Sequence, residues 1–146
     1  MEFTCTVIIG KLIKQFVEFF INPDNLKEYQ DGFLEKELVS GKPAQVGTIS
    51  KMFYQQGKRK MEITETVRSN NLPHEFSEFY LHIYMDNTLT NRFISLSEDR
   101  TQYDAEIEYI VLRGFMVKAL SFLFSRMFKK QVQKWLDQFR VFVEKQ

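Results

Sequence analysis

The sequence predicts an α+β chain in which a curved, seven-stranded antiparallel sheet wraps around one long C-terminal helix, with two short helices after the first strand. Three observations predict it. Hydrophobic residues recur with a period of two from about residue 31 to residue 112, the signature of strands with one buried face. Residues 115–144 then run without a Gly or Pro, long enough for one helix of roughly 45 Å. Aromatic residues make up 15% of the chain, with fifteen Phe and six Tyr, so rings build the interior or whatever surface meets a ligand.

The first strand is read at residues 2–9 (EFTCTVII), which alternate early and then become fully apolar. Residues 11–20 place Leu12, Phe16, Phe19 and Phe20 on one helical stripe, away from Lys11, Lys14 and Glu18. Asn22-Pro23 stops that helix, because Pro lacks an amide hydrogen and disfavours a helical residue before it. The same pair opens a second short helix over 23–29, with Asn22 as its cap.

Strands follow at 33–39, 47–55 and 61–68, separated by Ser40-Gly41 and by Gly57. The next is read as a long strand, 76–85, turning at Asp86-Asn87. Two more, at 89–96 and 102–112, flank a hairpin tip at Ser97–Arg100. In the last, Tyr103, Ala105, Ile107 and Tyr109 alternate with polar residues, so one face is wet. Neighbouring strands on short turns pair antiparallel, and the terminal helix is the element long enough to cover their apolar face. A helix does not fill a curved concavity across its whole width, so space remains between the two.

Composition excludes several classes. Twenty basic and nineteen acidic side chains leave a net charge of +1, which offers no case for a nucleic-acid partner. The lone cysteine, Cys5, rules out an internal disulfide framework or a multi-cysteine metal site and reads as a buried thiol. No window of about eighteen uncharged apolar residues predicts a membrane span, so no stable membrane insertion is expected. The start, Met1-Glu2-Phe3, does not read as a secretory leader, which makes the cytoplasm the expected compartment. Phosphate loops, His-Glu-x-x-His and a supported Ser/His/Asp order are missing, so no catalytic residue, metal or cofactor is assigned. Without a linker or repeat, residues 1–146 read as one domain.

The resemblance to a known family rests on Gly41-Lys42-Pro43, Val46-Gly47-Thr48, the MEITETV segment ending at Val67, and the closing helix from Trp135-Leu136 to Glu144. With this order of elements, the chain resembles the START-like, SRPBCC superfamily, and within it polyketide cyclase/dehydrase and lipid-transport-like proteins. The resemblance implies the helix-grip fold and a deep hydrophobic cavity holding an apolar small molecule such as a lipid, isoprenoid or polyketide-like aromatic. The family spans carriers, receptors, cyclases and co-chaperones, so the fold alone does not settle function.

Candidate ligand-binding residues follow the inward faces. Met61, Ile63 and Glu65 share a strand face with Val67. A carboxylate there is costly when ionised and unpaired, so Glu65 needs a Lys, Arg or Tyr partner, a lost charge or a ligand. On 76–85 pattern does not separate the faces: the uniformly apolar set Phe79, Leu81, Ile83 and Met85 is the cheaper one to bury, whereas Phe76, Glu78, Tyr80, His82 and Tyr84, turned inward instead, would make a polar-lined pocket suited to a hydroxylated aromatic. Phe93, Tyr103, Ile107 and Tyr109 complete the strand wall. Arg92 faces outward beside an inward Asn91, and His74 is solvated in a turn.

From the final helix, Met116, Leu120 and Leu123 are expected to close the cavity. Its first half, Phe115–Phe128, is apolar nearly all round and must be covered. Cover by the two short helices is the first expectation, a second copy of the chain the next, and a membrane met by Arg126, Lys129 and Lys130 the last. Function is expected in the order of a non-catalytic binder of a small hydrophobic molecule, a cyclase/dehydratase-type enzyme, and an interaction module. The enzyme reading requires at least two of Glu65, Tyr103, Tyr109 and His82 at one buried point.

Overall fold

The computed structural model describes residues 2–146. Strand β1 (Glu2–Ile9) leads into α1 (Ile13–Ile21), a 3₁₀ turn (Pro23–Asn25) and α2 (Leu26–Tyr29). The Asn22 side chain caps the turn by accepting from the Asp24 amide at 3.0 Å, as its position before Pro23 predicts. Six strands follow: β2 (Phe33–Ser40), β3 (Ile49–Gln56), β4 (Arg59–Asn71), β5 (Glu75–Leu81), β6 (Met85–Ser97) and β7 (Arg100–Leu112). Two helices close the chain, α3 (Phe115–Ala119) and α4 (Ser121–Glu144). The seven strands form one antiparallel sheet in the order β1-β7-β6-β5-β4-β3-β2. The chain therefore crosses from one sheet edge to the other through α1 and α2, then returns strand by strand.

Helix α4 lies on the β1 side of the concave face. Gln133 Nε2 donates to the Thr6 carbonyl at 3.1 Å, and the Gly10 amide donates to Glu144 Oε2 at 2.7 Å. Lys134 holds Asp31 at 2.8 Å, which ties the helix to the end of α2. Val132, Leu136, Phe139 and Val143, three or four residues apart, form the buried stripe of the helix. At one end of the grip, rings fill the space. Phe16 lies 4.8 Å from Phe93 and 5.4 Å from Phe139, while Tyr29 lies 4.7 Å from Phe139. These are the edge-to-face separations at which aromatic pairs attract beyond their burial.

Two expected elements are corrected. The turn between β5 and β6 falls at His82–Tyr84 rather than at Asp86-Asn87, which belong to β6. Arg113 fixes it there: its guanidinium donates to Asp86 Oδ2 at 2.6 Å and to the His82 carbonyl at 3.1 Å. A turn-forming Asp, itself buried, is thus held inside a strand by an exposed arginine. The terminal helix is also not continuous, since Leu120 (φ −105°, ψ 18°) separates α3 from α4. No Gly, Pro or polar cap marks that position. The break falls where the helix no longer has a sheet surface beneath it.

Candidate functional site

A cavity of about 1100 Å³ lies between α4, the α1–α2 corner and the concave face of the sheet. Alternation along each strand decides what it presents. Met52 and Tyr54 come from β3, Met61, Ile63 and Val67 from β4, Leu89 from β6, and Ala105 and Ile107 from β7. Helix α4 contributes Phe128, Val132, Trp135, Leu136 and Phe139. The Trp135 ring stacks on Tyr54 at 5.9 Å and 12°. Its indole N–H is buried without a partner among the described residues.

Against these apolar walls sits a polar cluster built from β2, β4 and β5. Glu65 on β4 and Tyr80 on β5 are directly paired in register, and Glu78 lies two residues back on the same face of β5. Glu65 and Glu78 are only 5% and 6% exposed. Lys36, reaching over from β2, meets Glu65 Oε1 at 2.9 Å. The Tyr80 hydroxyl donates to Glu65 Oε2 at 2.8 Å and also sits in close contact with Glu78 Oε2. A phenol has one proton to give. The arrangement is satisfied when Tyr80 gives that proton to Glu65 and Glu78, itself protonated, donates to the Tyr80 oxygen. Charges agree with this count: one cation, Lys36, matches one carboxylate, Glu65. Burial, then the nearby charge of Glu65, pushes the Glu78 carboxyl up to about 8. Burial and the two carboxylates hold the Tyr80 phenol well above its ordinary range.

Two further phenols are committed to structure. Tyr103 donates to Asn91 Oδ1 at 2.6 Å, and Asn91 donates onward to the Phe76 carbonyl at 3.1 Å. Tyr54 donates to Gln30 Oε1 at 2.8 Å. Burial raises the Tyr54, Tyr103 and Tyr29 phenols, so all three stay protonated near neutrality.

Of the residues expected on the wall, Met61, Ile63, Glu65, Leu81, Ile83, Tyr103 and Ile107 border the cavity, Leu81 and Ile83 at its rim. Strand β5 is turned the other way from the expectation. Phe76, Glu78 and Tyr80 face inward, Phe79 lies on the outer face, and Leu81 and Ile83 sit exposed at the rim. The reason is the partner demand of Glu65. Burying Glu78 and Tyr80 beside it satisfies three polar groups at once, which the apolar face offers no means of doing. Phe93 belongs to the ring cluster, and Tyr109 packs between Phe3 and Phe128, each 6.1 Å away. Met116, Leu120 and Leu123 are exposed rather than cavity-lining, because the helix leaves the sheet before reaching them. The grouping of Glu65, Tyr103, Tyr109 and His82 does not occur: His82 is in the β5–β6 turn and Tyr103 is tied to Asn91. Arg92 faces outward as expected, between Glu75 at 2.6 Å and Glu106 at 2.9 Å. Cys5 is buried, with its thiol pushed up by that burial.

No protein-family model matches the sequence, and no curated protein matches it. Solved structures do. A Thermus thermophilus protein, TTHA0849, superposes with a TM-score of 0.80 at 17% identity, covering 98% of this chain and 97% of its own. The ZhuI aromatase/cyclase of Streptomyces sp. R1128 gives 0.81 at 10% identity, over 99% and 93%. Ara h 8.0201 gives 0.75 at 7% identity, over 100% and 99%. These likenesses show the fold: a helix-grip arrangement in which a seven-stranded antiparallel sheet curves around a C-terminal helix.

Proposed function

We propose that this chain binds a small, mostly hydrophobic molecule in the cavity, with one neutral hydrogen-bonding group of that molecule seated at Glu65, Glu78 and Tyr80. One observation carries the reading: about 1100 Å³ of largely apolar space borders a mutually satisfied cluster of Lys36, Glu65, Glu78 and Tyr80. Binding sites for small apolar ligands combine such walls with a few oriented polar atoms. With its proton given to Tyr80, Glu78 keeps a second carboxyl oxygen that accepts from a ligand hydroxyl. A ligand carboxylate is disfavoured, since it would meet Glu65 and drive a second negative charge into the same space. The classes that fit are a neutral lipid, an isoprenoid and a polyketide-like aromatic.

Native mass spectrometry of gently purified protein tests this, together with uptake of a fluorescent apolar probe. The expected result is a bound molecule with a neutral oxygen-bearing group, displaced by or competing with the probe. Failure of the folded protein to take up any apolar probe overturns the reading.

A second reading has its own observation. Two carboxyl groups bridged by a phenol hold one transferable proton inside the cavity. That is the equipment for eliminating water from a hydroxylated chain: Glu78 protonates the departing hydroxyl, and Glu65 takes the carbon-bound proton as the double bond forms. The superposition on an aromatase/cyclase accords with this chemistry. A captured molecule that loses the mass of one water with the wild-type protein, but not with Glu78→Gln, distinguishes catalysis from binding.

A further inference from the structure

The beginning of the terminal helical region has no cover. Phe115 is 84% exposed and Phe122 70%, with Met116, Leu120, Leu123 and Met127 also exposed. The expected cover from α1 and α2 is absent because those helices pack at the opposite end of α4, beside Asp31, Lys134 and Phe139. The β5–β6 turn continues the surface. Ile83 is 72% exposed, and the turn is tied to this end through the Arg113 amide, which donates to the Tyr84 carbonyl at 2.8 Å. The patch therefore combines two chain segments that meet at Arg113.

Its charge is one-sided. From Arg113 to Lys134 the sequence has six Lys and Arg and no Asp or Glu, in a chain whose net charge is +1. Arg113 and Lys134 are engaged by Asp86 and Asp31. Lys118, Arg126, Lys129 and Lys130 are exposed and make no ion pair among the described residues. Arg126 instead lies 5.8 Å from the centre of the exposed Phe122 ring. Arg126 and Lys130 are four residues apart, as are Leu123 and Met127, so cations and apolar side chains form adjacent rows on α4. The surface also adjoins the cavity, since Ile83, Tyr84, Arg113, Phe124 and Phe128 border it.

We propose that this surface docks peripherally on an anionic lipid bilayer, with the exposed side chains of α3, early α4 and the β5–β6 turn in the interface and the four free cations on lipid headgroups. Charge selects the occupant. A second copy placed face to face would bring the same cations together, whereas an anionic bilayer matches both rows: apolar side chains enter the acyl boundary and Lys and Arg reach outward to phosphate. The contact is interfacial, as no helix among the described residues is long and apolar enough to cross a membrane. Docking here would place the cavity rim against the bilayer.

The test is co-sedimentation of the full chain with vesicles of phosphatidylcholine alone and of phosphatidylcholine with phosphatidylserine at about 30%. Binding is expected with the anionic vesicles and is expected to weaken as salt rises. Lys129→Gln with Lys130→Gln should lower the partition coefficient about 25-fold, from roughly fivefold for each surface charge removed. Phe122→Ser with Leu123→Ser should abolish sedimentation. Both double variants should keep the wild-type melting temperature and probe uptake, because none of the four side chains lines the cavity. No binding to anionic vesicles, equal binding to neutral ones, or a solution dimer dissociated by the Phe122/Leu123 variant in place of vesicle binding each overturns the proposal. Probe uptake is read separately, so loss of docking with intact uptake leaves the cavity reading standing.

Discussion

Replacing Glu78 by Gln tests the shared-proton arrangement directly. The carboxyl lies at about 8 in the folded chain against an ordinary value of 4.5. A folded-state value above the unfolded one means that the native chain holds this proton more tightly. The resulting stability is complete below about pH 4.5 and is lost as pH rises toward 8. Treated as one independent group, Glu78 removes roughly 3 to 4 kcal/mol of stability between pH 5 and pH 8. A chain of 146 residues has an unfolding entropy near 0.3 kcal/mol per kelvin. The wild-type melting temperature should therefore fall by up to about 10 °C over that interval from this group alone. Gln keeps the shape and supplies an N–H to the Tyr80 oxygen, leaving Tyr80 free to donate to Glu65, but it has no proton to lose.

The assay is thermal unfolding followed by circular dichroism at several pH values, wild type against Glu78→Gln, with urea melts at pH 5 and pH 8 to obtain free energies. The variant should match the wild type near pH 5 and exceed it at pH 8, so the difference between the two curves isolates Glu78 from every other titrating group. Parallel curves over the whole interval, or a variant less stable at pH 8, would refute the assignment of the proton to Glu78. Tyr80→Phe should be destabilising at both ends, because it removes the bridge and leaves Glu65 with Lys36 alone.

Phe139→Ala should cost about 3 to 5 kcal/mol in urea unfolding, since the ring is 1% exposed and touches rings from α1, α2 and β7; a loss below about 1 kcal/mol would mean that the ring cluster does not anchor α4. Leu89→Trp projects an indole into the cavity from the middle of β6 and should abolish apolar-probe uptake while far-ultraviolet circular dichroism stays unchanged; undiminished uptake would place the ligand elsewhere. Asn91→Leu removes the acceptor of the buried Tyr103 hydroxyl and should cost about 1 to 3 kcal/mol. Adding Tyr103→Phe should recover part of that loss in a double-mutant cycle, and strict additivity would deny the pair its coupling.

The sheet was legible because strands with one buried face carry their own period, and β7 shows it most cleanly. Glu65 was legible for the converse reason: one carboxylate interrupts an otherwise apolar face. Its partners were not. Strand β5 has two faces of nearly equal apolar content, and transfer energies favour burying Phe79 and Leu81 over Glu78 and Tyr80. That comparison treats each side chain alone, whereas the polar set is stabilised as a group across β2, β4 and β5. The signal that finds it is the register: an inward Glu65 faces Tyr80 on the neighbouring strand, and an inward Tyr80 brings Glu78 with it. The end of the sheet-bound helix was equally hidden. Apolar residues in Phe115–Phe128 read alike whether they meet a sheet or water, and nothing at Leu120 announces a break.

Why the interior stays open follows from where the chain places its bulk. Phe16, Phe20, Phe93, Tyr103 and Phe139 fill one end, and α4 is fastened to β1 and α2 there, so the helix is held away from the β3–β5 side of the curve. Closing the remaining gap with apolar side chains would press them onto Lys36, Glu65, Glu78 and Tyr80, whose mutual satisfaction depends on being left together. The polar cluster thus opposes collapse from within while the ring plug opposes it from one side. The exposed rim at Ile83, Tyr84 and Phe124 supplies the other end of the same gradient. A neutral amphiphile in a bilayer presents its polar group to the surface first. Were the rim docked on that surface as proposed, such a molecule would enter polar end first, its apolar part following past Phe124 and Phe128 on the cavity wall. The two proposals are chemically independent, but one molecule, an oily compound with a single neutral oxygen function, satisfies both.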